Sequence, residues 1–594
     1  KSKTTKKDIV KAINKGYKSF EENGISEIDL NRIKAGQETN FYNRLSSVLG
    51  KGAQLTQYEM FTGDAGFISK DVENILAVTP EDVMRVYNNY IKNKNYVATS
   101  FVPIGQGQLI LENSELAAVT EEKIIDGAEE SFDASIAATY EKTPSSFDRS
   151  IEPDYGESPD VKVPEVWKQS LDSGINVLGI ENSEVPLVQF EIQIDGGMLL
   201  ENIDKIGVSN LLANLITKGT KTKTPEQLEN EIESLGARID AYSSNDAIYL
   251  SGNALSKNFE ATMKLVTEIL LEPRWDEKEF QLIKQSTKSN IQRRDANPNA
   301  IAQAEFNKLL YGENHILSNS NSGTEASVDA ITIEDLKTYY NNYLSPTLAK
   351  VHIVGDISKN DALKTLETIN TNWNVKDVVF PQLPKVEVPT ASKIYFYDVP
   401  NAKQSVLRFG YPAPKVTDED YYAATVMNYR LGGGGFASQL TQQLREGKGY
   451  TYGIRSGFRG NDKVGSFSIS SGVRSNVTSE SAELVKDILE NYGENFDSTD
   501  LEVTKGYTLK SGARAFETLN AKLNMLSNIS NYGFDDDYAK QREAIVKKLT
   551  VEDIKALANK YIKPNQMIYL VVGDAATQLD KLEGLGFGKA ILLN

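Results

Sequence analysis

Arg445 and Tyr452, within "RLGGGGFASQLTQQLREGKGYTYGIRSGF" (Arg430 to Phe458), are a guanidinium and a phenol seven positions apart whose types could serve a carbonyl group. A guanidinium offers fixed, permanently charged donors, and a phenol can donate to an oxyanion as negative charge develops on it. The residues alone also admit a plainer account, with "LRE" as a solvated charge pair on a helix and the tyrosine packed at the start of a strand. Four glycines, Gly432 to Gly435, precede them. A phosphate-cradling loop would end in Gly-Lys-Ser/Thr, whereas this run continues Phe436, Ala437, Ser438, so a nucleotide site is not expected. A tight turn feeding a helix over Ser438 to Glu446 is expected instead, with glycine permitting close backbone approach.

Metal chemistry has few donors to draw on. The chain has no cysteine and two histidines, His315 and His352. His352 falls in "AKVHIVGD", an apolar run that reads as a strand, and His315 in the loop-like "YGENHILSNS", so packing and loop hydrogen bonds are their expected roles. A zinc site within the chain would need an unusual carboxylate-rich ligand set. The net charge of −17, from 65 basic and 82 acidic residues, argues against nucleic acid as a partner, because affinity there comes from clustered Lys and Arg. No apolar run of about 18 residues appears, so no segment reads as a membrane-spanning helix.

The elements that would position these residues are announced by a repeat. "AVTPEDVMRVYNNYIKNKNYVATSFVPIG", "AITIEDLKTYYNNYLSPTLAKVHIVGD" and "KLTVEDIKALANKYIKPNQMIYLVVGD" match one another. Each predicts a helix capped by threonine (Thr79, Thr332, Thr550) with an acidic first turn, then a turn and an apolar strand ending in glycine. At 594 residues several domains are expected. The spacing of the repeats leaves room for a complete α/β unit before the second and third copies only. Residues 1–105 offer several helical patterns and one strand, Tyr96 to Val102, and are expected to be the back half of a domain. The acidic, Pro- and Ser-bearing stretch 106–164 reads as a linker. Complete domains are expected over 165–380 and 381–594. In the first, "INVLGIENSEVPLVQFEIQIDGG" predicts two strands around a polar turn; in the second, "KIYFYDVPNAKQSVLRFGYPAP" repeats that layout. Strands followed by helices in each unit predict an α+β class of repeated two-layer domains, each a sheet covered by helices on one face.

"GVSNLLANLITKGT", Gly207 to Thr220, resembles the "GxxHxxEHxxFKGT" helix of the pitrilysin/insulinase metallopeptidases, the inverzincins. On that frame Asn210 and Asn214 stand where the family has its two zinc-binding histidines, and Ala213 where it has the glutamate general base. An amide is a poor zinc ligand, and a methyl group cannot take a proton. Ser289 and Asn290, in "KQSTKSNIQRRDANPNA", stand where the third ligand, a glutamate, would fall. The segment around Arg445 resembles the second family signature, "LGGGxxSxLxxxLREKxGxxY", whose arginine and tyrosine project into the catalytic chamber, and Arg445 and Tyr452 keep its interval.

The resemblance implies that Arg445 and Tyr452 contact the scissile carbonyl, that Gly433, Gly434 and Gly435 lie near bound peptide, and that the chain itself holds no metal. It also implies that zinc sits in an N-terminal peptidase half, in the same precursor or another chain, and that peptides or unfolded proteins are the substrates. Family members bind extended peptides at a sheet edge; the strand Leu187 to Ile194 is expected to be core here, with a peptide-accepting edge as the alternative. The alternative is a catalytically inactive scaffold or peptide-binding subunit of a larger envelope assembly, and a membrane-associated complex is among the expected partners. Lys-, Asn- and Ile-rich usage with a long acidic linker is similar to large exported members from Gram-negative bacteria, giving an expectation of periplasm or outer-membrane association.

Overall fold

A computed structural model describes residues 6–118, 143–148, 150–151 and 160–594, so most of the expected acidic linker lies outside the described residues. The chain divides into two compact units, Lys1–Leu30 with Ala77–Ser158, and Asn31–Leu76 with Pro159–Asn594. Five helices come first: α1 (Lys6–Asn23), α2 (Glu27–Leu45), α3 (Val48–Thr62), α4 (Phe67–Ala77) and α5 (Pro80–Tyr90). In the first unit, Tyr87 of α5 meets Phe20 of α1 edge-on at 4.9 Å, and its hydroxyl donates to Glu21 at 2.9 Å. The strand expected at Tyr96 to Val102 does not form, and Tyr96, Val97 and Phe101 are exposed. Its apolar pattern lacks a neighbouring strand among the described residues, and an unpaired strand has no ladder to stabilise it.

The second unit contains two six-stranded mixed sheets. The first is built from β1 (Trp167–Ser170), β2 (Asn176–Glu181), β3 (Leu187–Asp195), β4 (Arg238–Ser243), β5 (Ala247–Leu255) and β6 (Ala349–Gly355), in the order β1-β2-β6-β3-β5-β4. Its helices are α6 (Val208–Ile216), α7 (Pro225–Ser234), α8 (Phe259–Leu271), α9 (Glu277–Asp295), α10 (Pro298–Tyr311), α11 (Glu325–Ala330), α12 (Ile333–Tyr343), α13 (Lys359–Thr365) and α14 (Glu367–Asn372). The second sheet is built from β7 (Lys393–Asp398), β8 (Gln404–Pro412), β9 (Thr451–Gly460), β10 (Gly465–Arg474), β11 (Ile568–Gly573) and β12 (Ile591–Leu592), in the order β12-β7-β11-β8-β10-β9. Its helices are α15 (Tyr421–Asn428), α16 (Gln439–Thr441), α17 (Thr478–Asn495), α18 (Ser498–Gly512), α19 (Leu519–Tyr532), α20 (Tyr538–Lys548) and α21 (Val551–Tyr561).

The two strands read around each polar turn are present but are not neighbours. The repeat-end strand slots between them: β6 runs parallel to β2 and antiparallel to β3, and β11 runs parallel to β7 and antiparallel to β8. These inserted strands are covered on both faces, as central strands are: every residue of β11 is buried, and all of β6 except Lys350. This placement agrees with the reading of Leu187 to Ile194 as a core strand and sets aside its alternative, a free peptide-accepting edge. β3 is internal, hydrogen-bonded to β6 on one side and β5 on the other, and the terminal strands of this sheet are β1 and β4.

One face of each sheet carries helices of its own domain, around Leu211, Leu212, Phe259 and Leu336 in the first and Met427, Leu440, Val485 and Ile554 in the second. The other face of each receives a helix from the other domain. Leu519, Leu523, Leu526 and Ile529 of α19 pack on Leu178, Ile180 and Val354 of the first sheet. Ala302, Phe306 and Leu310 of α10 pack on Val406, Leu570 and Val572 of the second. A polar row borders the first of these contacts: His352, fully buried, bonds Glu191 through Nδ1 (3.2 Å) and Ser530 through Nε2 (2.7 Å), while Lys350 and Gln193 both reach Asn531.

All three threonines of the repeat form reciprocal capping boxes, Thr79 with Asp82, Thr332 with Asp335 and Thr550 with Asp553. Each satisfies backbone N–H groups that a helix start leaves open. Thr550→Ala is expected to cost about 1 kcal/mol, seen as a lower urea midpoint at unchanged slope. An unchanged midpoint would assign α21 wholly to tertiary packing.

Candidate functional site

The helix α6 forms where the in-frame motif places it, and its apolar residues explain why. Leu211, Leu212, Ala213, Leu215 and Ile216 are buried against β4 and α9, leaving Asn210 half-buried and Asn214 exposed. The Asn214 amide donates to the Asn210 carbonyl at 2.7 Å, an i to i−4 bond back onto its own helix. Ala213 is fully buried and presents a methyl group. Ser289 and Asn290 sit exposed on α9, the helix lying against α6, and the Asn290 side chain accepts from Arg293. At these positions the two helices therefore carry amide, hydroxyl and methyl groups and no imidazole or carboxylate. These residues do not fit zinc, and no cluster of three or more metal-binding side chains occurs among the described residues.

Sequence reasoning missed the group that starts α6. Gly207, at φ +117°, precedes the helix and has no side chain to cap it. Glu201 does so instead, its carboxylate accepting from the Gly207 N–H at 2.7 Å and the Ser209 N–H at 2.6 Å. Burial pushes the Glu201 carboxyl from 4.5 up to about 7, against these two bonds, which favour the charged form. A raised folded-state value means that this stabilising contribution is fully present below about pH 4.5 and is lost as pH rises through about 7. Glu201→Gln keeps an acceptor oxygen without the titration and is expected to flatten the stability profile between those two values. A parent-like slope in the variant would place the pH dependence elsewhere.

In the second domain the glycine run makes a compact turn. A π-helical turn over Tyr429–Gly433 leads into a 3₁₀ turn over Gly435–Ala437. A Cβ on Gly432 would lie 2.3 Å from Ser456 Oγ, and Gly435 adopts φ +57°, so these two positions require glycine. Gly433 is exposed and Gly434 partly so. Arg430 anchors the turn from below, its Nε donating to the Asp500 carboxylate at 2.6 Å and its Nη1 to the Ala437 carbonyl. The expected helix follows as α16, capped by Ser438, and widens into a second π-helical turn over Gln442–Gly447 that carries Arg445. π-helical turns are rare and concentrate at functional sites.

Arg445 and Tyr452 are brought together. Arg445 Nη1 donates to the Tyr452 carbonyl at 2.9 Å, and Nε faces Glu446 at 3.3 Å. The guanidinium lies over the Phe436 ring at 4.5 Å from its centroid, a cation–π contact that fixes its plane. Tyr452, the second residue of the terminal strand β9, has its side chain 89% exposed, so its phenol is free to meet another molecule. Phe436 was not singled out in the sequence; the signal was there, a large exposed aromatic directly after four glycines. Arg445 and Tyr452 belong to the second sheet's domain and Asn210 and Asn214 to the first, and no hydrogen bond joins the two sets.

A family model described as "Insulinase (Peptidase family M16)" matches residues 176–324, and one described as "Peptidase M16 inactive domain" matches 330–506, together more than half of the chain. Among curated relatives, an "Uncharacterized zinc protease" of Bacillus subtilis is 23% identical over 359 residues, covering 60% of this chain and 86% of that protein. A "Non-peptidase homolog" of Helicobacter pylori is 23% identical over 415 residues, covering 67% and 92%. Among solved structures, a peptidase M16 inactive domain from Pseudomonas fluorescens superposes with a TM-score of 0.64 at 25% identity, covering 69% of this chain and 98% of that one.

Proposed function

The chain belongs to the insulinase family of M16 peptidases, and from that membership we propose that it supplies the zinc-free side of a peptide-cleaving chamber. The observation that carries this reading is the Arg445–Tyr452 pair, locked to each other at 2.9 Å, backed by Phe436 and open to solvent. Such a pair has donors for a carbonyl oxygen, and the carboxylate beside it, Glu446, is engaged by Arg445 itself. The zinc ion and general base therefore belong to a separate peptidase half, in the same precursor or on a partner chain. Arg445 holds a peptide carbonyl in place, and the Tyr452 phenol donates to its oxygen as charge builds there. Gly433 to Gly435 leave room for the substrate backbone beside them.

Purified alone, the 594-residue chain is expected to hold no stoichiometric zinc and to cleave no peptide. Combined with the zinc half, it should raise turnover well above that of the zinc half by itself. One tightly held zinc per isolated chain, or a zinc half already at full speed, would overturn this reading.

A second reading, a peptide-holding scaffold that does not cut, is favoured by two observations. The Helicobacter pylori relative is named as a non-peptidase homolog, and β4 is a terminal strand whose outer edge pairs with no strand among the described residues. An extended peptide would add there through main-chain hydrogen bonds. Peptide binding without cleavage by the complete zinc-loaded assembly would select this reading.

A further inference from the structure

A cavity of about 320 Å³ lies between α15, α18, α19 and α20, apart from the Arg445–Tyr452 site. Its lining includes Arg542, Tyr422, Tyr538, Leu509, Met525 and Val546. The Arg542 guanidinium is held by three aromatic rings, with centroids 4.7 Å (Tyr422), 4.8 Å (Tyr538) and 5.1 Å (Phe534) away. Cation–π contact with these rings uses none of the guanidinium N–H groups, which lie in its plane and keep their capacity to donate. No hydrogen bond or ion pair engages these donors among the described residues. The acidic group on the same wall, Glu543, is already paired with Lys547 at 2.8 Å. Asn524 and Asn528 add amide donors to the wall, Asn528 directing one N–H to Tyr538 Oη at 3.4 Å.

We propose that this cavity binds the free C-terminal carboxylate of a peptide ending in an apolar residue. The fork of Arg542 matches a carboxylate bidentately, the aromatic rings hold the fork rigid before binding, and Leu509, Met525 and Val546 accept the terminal side chain. The volume is at the small end of ligand sites, which fits one terminal residue rather than a longer segment. Amide-capped or internal peptide segments lack the charge that the fork selects.

The test uses the full chain and N-acetyl-Ala-Ala-Leu in two forms, with a free carboxylate and with a C-terminal amide, titrated calorimetrically. The acid is expected to bind at least about tenfold more tightly than the amide. Arg542→Gln should abolish that difference. Asn524→Asp, at an exposed position that leaves the aromatic cage in place, should weaken the acid about tenfold while sparing the amide. Unfolding midpoints of both variants are measured alongside; if Arg542→Gln is unfolded, Asn524→Asp alone decides. Equal affinities for acid and amide, no binding of the acid up to about 10 mM, or parent-like preference in folded variants would overturn the proposal.

Discussion

Arg445→Ala or Tyr452→Phe, introduced into the complete zinc-containing assembly, is expected to lower peptide turnover by about 10² or more, the scale of a lost oxyanion donor. The fold should be untouched. Arg445 and Tyr452 are surface groups whose only mutual bond is one guanidinium N–H to a backbone carbonyl, and the Tyr452 side chain is exposed, so neither substitution opens a cavity. The two changes separate by mechanism. Tyr452→Phe removes a single donor and should reduce kcat with little change in KM, because the bond it loses strengthens only as charge develops. Arg445→Ala also frees Phe436 from its cation, so KM should rise as the turn loses its backing. Phe436→Leu is a positioning control: it keeps the apolar bulk, removes the ring face, and should show a milder version of the arginine effect. Unchanged turnover in both primary variants would return the pair to a structural role on α16 and β9.

Phe306→Ala is expected to have the largest effect on stability, about 3–5 kcal/mol. Phe306 is 2% exposed and sits on α10, in the sequence of the first sheet's domain, yet it fills the outer face of the second sheet beside Val406, Leu570 and Val572. The damage should therefore appear in a domain remote in sequence from the substitution. All three tryptophans, Trp167, Trp275 and Trp373, belong to the first domain, so their fluorescence reports that domain alone, whereas circular dichroism reports both. Reciprocal exchange of α10 and α19 predicts that the two signals move together to a lower urea concentration in the variant. A circular dichroism transition that moves while the tryptophan transition stays would show that the two domains unfold independently and that the exchange contributes little cooperativity.

Much of this was legible along the chain because the signals are local. An N-cap and its first turn are adjacent in sequence, so Thr332 and Thr550 could be read as caps directly, and the structure adds their reciprocal bonds with Asp335 and Asp553. The resemblance of Gly207 to Thr220 to the family's motif helix implied a helix that packs on a sheet, and it does. The strand expected at Tyr96 to Val102 failed because apolar alternation reports a capacity to pair and cannot supply the neighbour. Which strand lies beside Leu187 to Ile194 was not legible for a related reason. Two strands flanking a short polar turn look like adjacent strands, but the apolar segment from Ala349 to Gly355, arriving more than 150 residues later, is the better partner for both. Phe436 and Glu201 were missed because their roles are set by what they touch, a guanidinium in one case and the open end of a helix in the other.

The sequence by itself determined the family, the three threonine-capped repeat helices, and the amide and methyl groups at Asn210, Asn214 and Ala213. Each of these rests on residue types at short, fixed intervals, where chain connectivity alone dictates proximity. Only the tertiary structure decided which strands are internal, that each sheet borrows a helix from the other domain, and that Arg542 stands unpaired among three rings. Those outcomes depend on which distant apolar surfaces exclude water most completely when brought together, a comparison made over the whole folded chain.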